Sequence, residues 1–231
     1  IPLPNNGTQL TNNYATSTVR QKDAESFDIK VDHNQTENDR FSVRYSFQRP
    51  VVTDPGIFGV YGGGGKAFAA TGINRTQSAA INYTRLFSPS FIMEARVGLS
   101  RYSNKAYTLD YGTKATDQIG IKGINLDDWT SGLATISVSG FADPLVGYSN
   151  SLPWNRAETN FDFVNNWTKV LHNHTIKWGV DLRRQRDDLL QTQDAGGPRG
   201  QLNFGANQTT IAGAKTLTQA NSLAALLVDA P

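Results

Sequence analysis

His172-Asn173-His174 sets two imidazoles one residue apart, a pairing that can ligate a transition metal. The tract around it is made of turn residues and no third ligand lies within sequence reach, so it reads as a turn and no metal is expected. Gly62-Gly63-Gly64-Gly65 would let backbone N–H groups approach a phosphate, but the Lys-Ser/Thr of a phosphate loop does not follow. A mobile or closely packed loop fits better. No Gly-x-Ser-x-Gly element occurs, and the three histidines (His33, His172, His174) fall on strand or turn positions. Hydrolase chemistry has little to work with, and neither enzyme activity nor a cofactor is expected. Asp127-Asp128 and Asp187-Asp188 carry charge for a hard cation, yet read as solvated loop charge. Tyr102, Tyr107, Tyr111 and Trp129 could contact a carbohydrate from an outer loop; an interfacial girdle or loop packing is the simpler reading. Seven Asn-x-Ser/Thr sequons occur, but Asn82 and Asn166 fall on expected strands, where glycan fits poorly.

The composition narrows the class. Of 231 residues, 38% are hydrophobic and 18% charged, below the roughly 45–50% and 25% of ordinary globular domains. Asn, Gln, Ser, Thr and 21 glycines fill the gap, while 10% aromatics argue against disorder. No apolar run approaches the roughly 20 residues of a membrane helix. With 22 basic and 20 acidic residues nothing suggests nucleic acid, and the absence of cysteine excludes disulfide scaffolds and thiol chemistry. A secreted β protein and an outer-membrane barrel both remain.

Alternation with period two is the dominant signal, and it sends successive side chains to opposite faces of a sheet. Phe27, Ile29 and Val31 alternate with Asp28, Lys30 and Asp32. Phe41, Val43, Tyr45 and Phe47 alternate with Arg40, Ser42, Arg44 and Ser46. The turn residues of 34–39 join these runs into a hairpin. A second hairpin joins 79–87 to 91–100 across Ser88-Pro89-Ser90, and a third joins 160–169 to 175–184 across Leu171-His172-Asn173. Gln201-Leu202-Asn203-Phe204 begins one more short strand. Ala134, Ile136 and Val138 also alternate, but they read as loop structure. Ala220 to Leu227 suits either a short helix, capped by Asn221 or Ser222, or a strand.

The connections at 34–39, 88–90 and 171–173 are short; those at about 50–76, 103–159 and 186–200 are long. Strict alternation of short and long connections is the pattern of an up-and-down outer-membrane barrel. The expected fold is therefore all-β: antiparallel up-and-down hairpins forming a partial barrel or curved sheet, with long loops on one side. It is a single β domain over 1–231, with an extended segment at 1–25, about seven wall strands in 26–205, and an irregular or short helical segment at 206–231. Arg40, Arg44, Glu94, Arg96, Lys177, Asp181 and Arg183 are expected on a polar, lumen-facing side. Phe41, Val43, Tyr45, Met93, Val97, Trp178 and Val180 are expected to face lipid or a core.

Ile1-Pro2-Leu3-Pro4-Asn5, Asn12-Asn13-Tyr14, the hairpin Phe27–His33 and Asp39–Ser46, and Phe87-Ser88-Pro89-Ser90-Phe91 resemble segments of the TonB-dependent outer-membrane transporters. So do His174–Arg184 and Asn221–Leu227, in the same order. The nearest subgroup is the Oar-like one, whose members carry a carboxypeptidase-regulatory-like domain. The resemblance implies a bacterial outer-membrane or cell-surface protein that moves solutes through a barrel of roughly 22 strands. About seven strands make only a piece of such a barrel, with the rest of a larger barrel as partner and bare sequons. The other expectation is a fibre: the open edges could take up a neighbour's Thr8–Val19 segment, so that copies of the chain self-assemble outside the cell.

Overall fold

The computed structural model describes residues 2–9, 12–192, 196–213, 215 and 217–231. Three tight turns organise it. Gln35 and Thr36 donate their backbone N–H groups to Asp39 O at 3.0 and 3.3 Å, closing the hairpin of β1 (Gln21–Asn34) and β2 (Asp39–Asp54). A two-residue turn joins β3 (Ala70–Ser88) to β4 (Phe91–Tyr107). After a single-turn α1 (Ala115–Gln118) and β5 (Thr135–Val138), His172 adopts φ 54° between β6 (Trp154–Leu171) and β7 (His174–Gln191). The strands β1-β2-β3-β4-β6-β7 pair in that order, antiparallel throughout, in one six-stranded sheet that does not close. β1 and β7 are its edges. Sequence and structure agree on antiparallel up-and-down hairpins with long connections at one end.

The wall strands are 14 to 19 residues long, beyond the roughly 9–11 that cross a bilayer. The extra length comes out of the expected linkers, so the long connections are 55–69, 108–153 and 192–200. Asp187 and Asp188, expected in a loop, lie on β7. Arg156 grips Asp187 with Nε and Nη2 at 3.1 and 2.8 Å, and Arg186 meets Asp188 at 2.9 Å.

Among the described residues the wall has six strands, where about seven are expected. β8 (Gln201–Phe204) leaves the wall and pairs in parallel with β5. The reason is local burial: Phe204, Val138 and Ala225 form a core beneath α2 (Thr218–Leu227), with Ile136, Phe141 and Leu145 packed around them. Thr135–Val138 is thus a strand, though outside the wall. In the segment 206–231 the helix wins. Asn221 and Ser222 are not its N-cap but lie inside it, and Asn221 Oδ1 accepts the Leu217 N–H at 3.0 Å.

The segment 1–25 is extended only in part, where its end enters β1. Asn5 Nδ2 donates to Ala15 O and Asn5 Oδ1 accepts from Ala15 N–H, both at 2.8 Å, so the chain folds back before β1 begins. Tyr14 then meets Phe58 edge-on, with ring centroids 5.5 Å apart. Of the N-terminal segments named above, Ile1, Leu10 and Thr11 lie outside the described residues, as do 193–195, 214 and 216 of the later ones.

Candidate functional site

Register turns the alternation of each strand into a property of the whole sheet. One row across it is Val31, Val43, Ile81, Val97, Phe163 and Leu182. The adjacent row, on the opposite face, is Lys30, Arg44, Ala80, Gly98, Asp162 and Arg183. The same pairing puts Phe41, Val43, Tyr45, Met93, Val97, Trp178 and Val180 on the apolar face. Arg40, Arg44, Glu94, Arg96, Lys177, Asp181 and Arg183 all lie on the polar one.

Among the described residues nothing covers the apolar face: Val97 is 52% exposed and Leu182 59%. A contiguous apolar surface of this kind marks contact with lipid or another chain. On β4 it runs from Phe91 to Leu99, nine residues and one bilayer crossing. At the end with the short turns it carries an aromatic cluster of Phe87, Phe91, Trp167 and Trp178, with neighbouring centroids 5.1 to 6.2 Å apart. Lys169 Nζ stands 5.0 Å over the Phe91 ring and the Arg85 guanidinium 5.1 Å over Phe87.

The polar face carries paired charge. Asp162 on β6 accepts ion pairs from Arg96 on β4 at 3.5 Å and Arg183 on β7 at 3.3 Å, and Arg183 also reaches Asp181 at 2.8 Å. Arg44 meets Asp28 at 3.1 Å across β1 and β2. Small side chains at Ser78, Ala80 and Gly98 leave a hollow of about 400 Å³ bordered by Arg96, Asp162 and Arg183. Such a surface suits water and polar solutes.

The long connections fold into a cap. Gly62, Gly63, Gly64 and Gly65 all take positive φ, and their stretch runs against 144–147: Gly63 N–H donates to Gly147 O at 2.8 Å and Gly64 N–H to Leu145 O at 3.1 Å. Of the two sequence readings, close packing is the one seen. Deeper in the cap Arg199 lies buried over the Tyr148 ring, donating from Nη2 to Ser149 O at 3.0 Å. Its Nε and Nη1 are buried without a hydrogen-bond partner among the described residues. Burial lowers the basicity of this guanidinium, against the nearby Asp110 charge. Burial also raises the Asp110 carboxyl above its usual range; the Leu133 N–H, donating to Asp110 Oδ2 at 2.6 Å, pulls the other way. The Tyr148 hydroxyl, buried near Asp110, is pushed up and donates to Val60 O at 2.5 Å.

Among the described residues no three His, Asp or Glu side chains gather where they could hold a metal ion. Asp127 Oδ1 accepts instead from Thr130 N–H and Oγ1 at 2.8 and 2.9 Å. Tyr107 and Tyr111 pack against each other with ring planes tilted by 44° and centroids 4.4 Å apart, while the Tyr102 hydroxyl donates to Asn74 Oδ1 at 3.4 Å. Sequence reasoning missed Asp110 and Arg199, polar residues of long linkers that carry no pattern announcing burial. It also missed Arg49, Arg75, Arg101 and Arg184, although continuing the alternation past Leu99 leads directly to Arg101.

The family described as Outer membrane beta barrel domain matches residues 1–231. No curated protein and no solved structure matches the chain. The antiparallel order, the sorting of short and long connections and the two-faced wall agree with that match, which places the protein at the outer membrane or cell surface. The chain belongs to the outer membrane beta barrel domain family.

Proposed function

We propose that this chain forms part of the wall of a TonB-dependent transporter, non-catalytic itself, with its polar face lining the lumen and its apolar band facing lipid. The observation that carries the reading is the pair of adjacent rows: Val43, Val97 and Leu182 on one face, Arg44, Gly98 and Arg183 on the other. A soluble sheet with one packed face would bury the first row, and here it is open. The segments that resemble the transporters, from Phe27–His33 to His174–Arg184, fall on these same strands. Six strands do not close a barrel, so β1 and β7 require further strands, supplied by the rest of a larger barrel.

The test is conductance of the protein that carries this chain in planar bilayers. A transporter of this class has a plugged lumen and gives no steady current. A steady ohmic current would identify a passive channel and overturn the reading.

A second reading uses the same open edges. β1 is exposed along its whole length and β7 along nearly all of it, so copies of the chain joined edge to edge would grow into a fibre, with the apolar rows buried between sheets. A solution mass near 25.3 kDa with no larger species would remove it.

A further inference from the structure

The apolar band ends at a defined residue on each wall strand. Toward the long connections these last residues are Phe27, Phe47, Ala79, Leu99, Phe161 and Leu182, from β1 to β7. The next arginines on the same face are Arg49 on β2, Arg75 on β3 beyond Gln77, Arg101 on β4 and Arg184 on β7, all exposed; Arg186, one step further on β7, already pairs with Asp188 at 2.9 Å. Arg75 confirms the side by lying 5.7 Å over the Phe47 ring. On β1 the corresponding residue is Glu25, so the basic stretch starts at β2.

These four differ from three arginines of the opposite face. Arg44, Arg96 and Arg183 each meet an aspartate within 3.5 Å. Arg49, Arg75, Arg101 and Arg184 form no ion pair among the described residues. At the other end of the band the cations are engaged as well, Arg85 with Asp39 at 3.4 Å and Lys169 over Phe91. Apart from the contact of Arg75 with the Phe47 ring, the four guanidinium groups above the apolar band have no partner among the described residues, and such a line calls for anions at that level.

We propose that Arg49, Arg75, Arg101 and Arg184 bind the phosphates of anionic lipid headgroups in the leaflet on the long-connection side. The guanidinium fork matches phosphate oxygens in pairs, and its alkyl stem lies along apolar surface while the charge reaches the headgroup level. The inference rests on the apolar band facing lipid. Each arginine is expected to favour anionic over zwitterionic lipid about fivefold.

The test reconstitutes the protein that carries this chain into phosphatidylcholine nanodiscs, with or without phosphatidylglycerol, and counts retained lipids by native mass spectrometry. One variant combines Arg49→Gln, Arg75→Gln, Arg101→Gln and Arg184→Gln. Its control removes equal charge from the polar face with Arg40→Gln, Arg44→Gln, Arg96→Gln and Arg183→Gln. The expected result is loss of the phosphatidylglycerol preference in the first variant, about fivefold per arginine, and its retention in the control. Equal losses, or no loss, in protein that still enters the discs overturn the headgroup site and leave the lipid-facing band standing. Failure of the unaltered protein to enter either disc overturns both. Inorganic phosphate that abolishes the preference where chloride of equal ionic strength does not identifies a free-anion site and also overturns the proposal.

Discussion

Trp167 on β6 and Trp178 on β7 face each other directly across the antiparallel pair, with ring planes 4° from parallel and centroids 6.2 Å apart. Phe91 extends the stack from β4, 5.4 Å from Trp167. The cluster stands where the apolar band meets the short turns, the level at which amphipathic rings settle between hydrocarbon and water. Trp167 Nε1 finds its polar partner in Asn165 Oδ1 at 2.5 Å.

The first consequence concerns depth. In variants keeping only Trp167 or only Trp178, emission should be quenched more by lipids labelled near the headgroup than by lipids labelled at the bilayer centre. Quenching strongest from the water phase, by iodide for instance, would place the cluster outside the membrane.

A second expectation separates backbone strain from crowding in the cap. Gly59 and Gly63 both hold positive φ, 63° and 67°. Space is open around Gly59, whereas a Cβ on Gly63 would strike the backbone of Leu145 and Val146. Gly59→Ala should therefore cost only the left-handed conformation, about 1–2 kcal/mol. Gly63→Ala should cost clearly more and free the 55–69 connection. Hydrogen exchange at the Gly64 and Gly65 amides, which donate to Leu145 O and Pro144 O at 3.1 Å, reads the difference.

The cap core should fail separately from the wall. Phe204 is buried with Val138 and Ala225, so Phe204→Ala should cost about 3–5 kcal/mol there. Limited proteolysis should then cut within 201–227 while amide exchange in β3 and β4 stays unchanged. Parallel loss of protection in the wall would show one cooperative unit instead.

Asp110 makes the cap sensitive to pH in a stated direction. Its folded pKa is raised above the ordinary carboxyl range, chiefly by burial. A carboxyl that holds its proton more tightly when folded contributes stability that is fully present below the unfolded pKa. That contribution is lost as pH rises through the folded value. Cap stability followed by exchange at the Leu133 amide should decline over that window, and Asp110→Asn should flatten the decline. An unchanged slope in the variant would assign it to another group.

How far the sequence could be read depends on how each feature is encoded. Val43 and Arg44 announce their faces by alternation, a local pattern that register then extends across the sheet. The strand ends were hidden because above the apolar band both faces turn polar, as at Arg101 and Arg186, and the alternation disappears. The pairing of Thr135–Val138 with Gln201–Phe204 joins segments far apart in the chain and in parallel, so no turn signals it. The inward placement of Arg199 and Asp110 follows from how three long connections fold together, and no local pattern records that.

The central claim, that the two faces of the wall meet different solvents, is tested most directly by single-cysteine labelling, for which the cysteine-free chain needs no prior substitution. Val43→Cys and Arg44→Cys, Val97→Cys and Arg96→Cys, Val180→Cys and Asp181→Cys compare neighbouring positions on the same strand. In membranes a small water-soluble maleimide should label Arg44→Cys, Arg96→Cys and Asp181→Cys quickly, and the other three only after denaturation. Equal aqueous labelling within each pair, or the reverse order, would contradict it.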